Sequence, residues 1–159
     1  MIEVDIFWPD RLPPAPLLEA AGPLREAGLD PACRLQPTRR GAELSVLVLV
    51  TGAVVEPFLK AMFERFGNEA HAALAAFVGR LLRRDARVPV PASVVFTSEL
   101  HGADFVFTPS LPEEAFRQAM ALDPGPEPGR WVWDQHERRW LRFEERRDPR
   151  TGDDKEDRP

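Results

Sequence analysis

The chain reads as an α/β protein, with α+β as the alternative class, in which a mixed β-sheet is flanked by helices. Three observations carry that reading. Ile2, Val4 and Ile6 alternate with Glu3 and Asp5, the period-two signature of a half-buried strand. The run Leu44–Val50 is almost continuously apolar and β-branched, as expected of a central strand covered on both faces. Between and beyond these segments, stripes of helical spacing alternate with strand-like runs, which favours parallel pairing through right-handed crossovers. The predicted order is β-α-β-α-α-β-β-α-β-β.

Taken in order, the first strand stops at Phe7-Trp8-Pro9. Leu17, Leu18, Ala21, Leu24 and Ala27 then follow helical spacing, and Gly22-Pro23 in their midst predicts a kink or a split. Leu29–Arg40, with Pro31 and Pro37 and the turn signal Arg39-Arg40-Gly41, reads as a loop. After the apolar strand, apolar positions from Val55 to Leu81 keep a helical period too long for one typical helix. Gly67-Asn68 supplies a left-handed residue followed by a good N-cap, so two helices should meet there, with Pro57 in the first turn of the first of them. Arg80, Arg83 and Arg84 complement the dipole at the end of the second.

Ser93–Thr97 and Asp104–Thr108 read as a hairpin around His101-Gly102, and Pro112-Glu113-Glu114 opens a helix carrying Phe116, Ala119 and Met120. A proline-rich connector from Pro124 to Gly129 leads to a second hairpin over 130–143, and residues 146–159 read as a flexible charged tail. The predicted domain is therefore 1–145.

Composition narrows the function classes. The net charge of −5 is the wrong sign for a surface that binds nucleic acid through phosphates. A single cysteine, Cys33, allows no intrachain disulfide and no cysteine-rich zinc site, which suits a reducing compartment. The acidic start Met1–Asp5 is unlike a secretion signal, and no apolar run approaches the roughly 20 residues of a spanning helix. A cytoplasmic protein without membrane contact is expected. Only Lys60 and Lys155 are lysine among 21 basic residues, which reads as the codon bias of a GC-rich, actinobacterium-like genome.

No catalytic or metal-binding constellation stands out, and no cofactor is implied. Thr51-Gly52 sits where a strand meets a helix, a common anion position, yet neither the dinucleotide nor the P-loop fingerprint surrounds it. A pocket there, with His101 and Asp104 as polar groups, is the alternative small-molecule or enzymatic reading. His71 with Glu64 and Glu69 reads as a solvated helix face, and Cys33 as an incidental thiol without a base. The anomaly is the segment Trp131–Phe143, which holds three of the four tryptophans. A four-residue loop at 135–138 would pair Asp134 with Arg139, Trp133 with Trp140 and Trp131 with Arg142. That register puts Trp131, Trp133, Trp140 and Arg142 on one face and Val132, Leu141 and Phe143 on the other. A hairpin apolar on both faces either completes the core or caps its edge with its tryptophans, or offers one face to a partner. Tryptophan and arginine dominate interface hot spots, so in the second case the first face is the partner-binding surface of a non-catalytic adaptor; homo-oligomerisation is open as well.

Ile2–Trp8, the segment Arg40-Gly41-Ala42-Glu43-Leu44 entering the apolar strand, the helix end Phe77–Arg84 and the hairpin after it together resemble one family, the effector-associated constant components of actinobacterial conflict and signalling systems. These are small α/β domains encoded beside or fused to peptidase and STAND-type NTPase proteins. The single glycine at 52 departs from the Gly-Ser-Gly-Gly-like turn expected there. The resemblance implies an adaptor that contacts an effector or regulator protein.

Overall fold

The structure is a computed structural model that describes residues 2–38, 44–51, 58–82, 91–98, 102–123 and 128–143. Along the chain run β1 (Glu3–Pro9), α1 (Ala15–Glu26), β2 (Ala32–Gln36), β3 (Ser45–Thr51), α2 (Phe58–Met62), α3 (Ala70–Leu81), β4 (Ser93–Ser98), β5 (Ala103–Phe107), α4 (Glu113–Ala121), β6 (Gly129–Asp134) and β7 (Arg139–Phe143). A 3-10 turn over Glu64–Glu69 joins α2 to α3, and Gly67 within it adopts a φ of 53°, so the break falls where the glycine places it. Gly52, Pro57, Arg83, Arg84, His101, the turn signal at 39–41, most of the proline-rich connector and the tail over 146–159 lie outside the described residues.

The seven strands form one mixed sheet in the order β2-β1-β3-β4-β5-β6-β7, and the α/β class stands. β2 with β1, β3 with β4 and β5 with β6 are parallel, each pair joined through helix, and the other three pairings are antiparallel. One side of the sheet carries the core. Val4, Ile6 and Trp8 of β1, Val46, Val48 and Val50 of β3, Phe96 of β4 and Phe105 and Phe107 of β5 are buried there together with Leu17, Leu24, Leu74, Phe77, Ala115 and Phe116 of the helices. The helices touch one another in a single layer, α1 on α3 and α3 on α4.

The one-sided layer fixes the relative hands of the crossovers. β1 and β3 run in opposite directions and step to opposite sides, to β2 and β4, so their crossovers share one hand. β5 runs with β1 but steps the other way, so its crossover to β6 has the opposite hand. At least one parallel unit therefore departs from the right-handed rule.

Two local differences from the sequence reading have physical causes. Ala32–Gln36 is a strand, β2, where a loop is expected. It is an edge strand with all five residues exposed and a proline on either side, so it lacks the buried alternation by which strands are read. The helix α1, in turn, runs unbroken through Gly22-Pro23. Pro23 has no N–H for the carbonyl of Glu19 four residues earlier. Arg80 of α3 crosses above Gly22 and donates from Nη1 to that carbonyl at 3.3 Å. Below it, Gly28 takes a φ of 85° and Leu29 N–H reaches back to Leu24 O, a glycine-terminated helix end.

Arg80→Ala should therefore cost about 1 kcal/mol in urea unfolding. In a Pro23→Ala background, where an N–H returns to the Glu19 carbonyl, the same change should cost clearly less. The double-mutant cycle cancels the packing lost with the proline ring, and simple additivity would show that water already satisfies the carbonyl.

Candidate interaction surface

The tryptophan hairpin has the register its sequence predicts: Asp134 opposite Arg139, Trp133 opposite Trp140, Trp131 opposite Arg142. Asp134 closes the loop by accepting from the N–H groups of His136 and Glu137, both at 2.8 Å, and Arg138 takes a φ of 53°. The four residues expected to bind a partner are brought together, but on the face turned toward the helices. Trp140 is 4% exposed, and its Nε1–H donates to the carbonyl of Ala115 in α4 at 2.9 Å. Trp131, half-buried, stacks on Phe105 at 6.1 Å, and Trp133 meets Trp140 edge-on at 5.9 Å. The Arg142 stem lies where a side chain at 129 would stand, which Gly129 permits. The indoles thus extend the aromatic core of β5 and α4 to the end of the sheet.

The opposite face is different. Pairing places Phe7 beside Leu47, Leu47 beside Val95, Val95 beside Val106, Val106 beside Val132 and Val132 beside Leu141. These six half-buried side chains form one apolar row across six adjacent strands, with no described helix above it. A second row beside it reads Asp5, Leu49, Thr97, Asp104, Arg130, Phe143. Its charges are matched. Arg34 lies 3.5 Å from Asp5, Thr97 donates to Asp104 at 2.7 Å, and Arg130 sits 3.8 Å from Asp104. Phe143 closes the row at 57% exposure.

An open cleft of about 380 Å³ runs over this face between Pro9, Thr38, Leu47, Val95, Asp104 and Arg130. Of the alternative pocket residues, Asp104 lines the cleft and Thr51 does not; Gly52 and His101 are outside the described residues. Asp104 is engaged by Thr97 and Arg130, so its carboxylate stands in a closed polar set.

The other titratable candidates serve the scaffold. His71 contacts neither Glu64 nor Glu69; its Nδ1 lies 3.1 Å from the Asn68 carbonyl and its Nε2 3.2 Å from Glu113 of α4. Glu113 also accepts from Arg117 at 2.7 Å, and the Arg117 guanidinium, followed by His71, holds its carboxyl below the usual glutamate range. Cys33 is exposed on β2, yet partial burial of the thiol pushes its pKa up against the opposing charge of Arg25, which disfavours the nucleophilic thiolate. Among the described residues no group of three His, Cys, Asp or Glu could hold a metal ion, and no helix is long and apolar enough to cross a membrane.

The residues that sequence reasoning passes over are Phe7, Leu47, Val95 and Val106. Their signal is present: each lies between core residues of the opposite parity, so their strands are apolar on both faces. Comparison of the chain with family models, curated proteins and solved structures found no match.

Proposed function

We propose that the protein is a protein-interaction module whose docking surface is the face of its sheet that no described helix covers. The observation that supports this is the six-residue apolar row from Phe7 to Leu141. Single apolar side chains on a surface are ordinary, but a contiguous row across six strands is the kind of patch that marks interaction sites. The charges beside the row are paired, which suits a rim that tolerates desolvation better than isolated charges would. An adaptor of bacterial conflict or signalling systems, the role implied by the family resemblance, would work through such a protein-contacting surface.

The test is site-resolved crosslinking in lysate of the source organism. A photo-reactive phenylalanine analogue replaces Phe143 on the open face or, as control, Leu18, which is 67% exposed on α1. Crosslinks to a defined protein from position 143, absent from position 18 and lost when Leu47→Lys is added to a chain that still folds, are the expected result. Equal labelling from both positions, or labelling indifferent to Leu47→Lys, overturns the reading.

A further inference from the structure

Resting on that reading, we infer that the occupant of the open face is a second copy of this chain, packed sheet against sheet. Shape is the first reason. Six strands at about 4.8 Å spacing make the apolar row roughly 24 Å wide. A helix, about 10 Å across and commonly laid along the strands, would cover two or three of them and leave the rest of the row wet. A second sheet aligned within about 30° sets row against row and covers all six. This chain has such a sheet.

Charge is the second reason. The chain carries a net −5, which opposes self-association in general. The open face carries little of that excess: Asp5 is matched by Arg34, Asp104 by Arg130, and Asp134 stands opposite Arg139, which leaves Glu3 at the end of β1. Two copies meeting here bring together nearly neutral surfaces. Residues 144–159, by contrast, contain no aliphatic or aromatic side chain apart from two prolines, so that segment has nothing with which to cover the row.

Area sets the strength. Seven strands about 4.8 Å apart and about five residues long give roughly 500 Å² of sheet per copy and roughly 1,000 Å² for the pair. That is at the lower bound of specific interfaces, so the dimer is reversible and concentration-dependent.

Sedimentation velocity on the full chain, from low micromolar to sub-millimolar concentration, tests this. The weight-average mass should climb from one chain toward two. Val106→Lys, at the centre of the row, should weaken dimerisation at least about tenfold. The near-isosteric pair Val106→Thr with Val132→Thr should weaken it severalfold while sparing the fold, so that an unfolded lysine variant would not end the test. Leu18→Lys should change nothing. A wild-type chain that stays monomeric throughout, or row variants that dimerise as the wild type does, overturns the second copy. Monomers that still crosslink to a different protein from position 143 overturn only the second copy and leave the interaction reading standing; the absence of both sinks both.

Discussion

Replacing Trp140 by alanine is expected to destabilise the fold by about 3–5 kcal/mol, the range for removing a large aromatic from a core. The side chain is 4% exposed and packs edge-on against Phe105 and Phe107 at 5.6 and 5.2 Å. Its indole N–H holds the first turn of α4 through Ala115 O. Trp140→Phe keeps most of the packing but removes that donor, and should cost about 1–2 kcal/mol. Urea unfolding measures both, with an unchanged denaturant slope as the sign that stability alone has moved. A cost below about 1 kcal/mol for the alanine variant would mean that the hairpin is not part of the cooperative core.

The second large effect separates two neighbours on one strand. Phe96 is fully buried, with Phe77 at 5.7 Å and Phe107 at 5.4 Å. Phe96→Ala should therefore cost about 3–5 kcal/mol. Val95 points the other way, into the apolar row. Val95→Thr keeps the shape and exposes one hydroxyl to a half-open surface, so it should cost under about 1 kcal/mol at dilute concentration. If it costs as much as a core substitution, the open face is covered within one chain and cannot be a docking surface.

These neighbours also show what the sequence discloses. The hairpin register at 130–143 was legible because a four-residue loop and strict alternation admit only one pairing, and the break at Gly67 because glycine alone combines a φ of 53° with a ψ of −123° cheaply. β2 was illegible for a lack of burial: Ala32–Gln36 is exposed throughout, so no periodicity distinguishes it from the prolines around it. The continuity of α1 depends on Arg80, sixty-one residues from the carbonyl it satisfies, which no local rule can foresee. The assignment of faces was half legible. Alternation separated Trp131 from Val132, but which of two apolar faces meets the helices is decided by α4, whose Ala115 carbonyl selects the indole side. A run such as Leu44–Val50 accordingly suggests cover on both faces, whereas the described helices supply it on one.

The strand order has a kinetic corollary. Apart from the exchange of β1 and β2 at one edge, the sheet is laid down in the order in which the chain is written. No strand waits for a partner from the far terminus, and even the long connections, from Pro9 to Ser45 and from Thr51 to Ser93, close at modest extra entropic cost because that cost grows only slowly with length. Such a sheet can grow by accretion, strand upon strand. During that growth each new edge between β3 and β6 is exposed only until the next segment arrives.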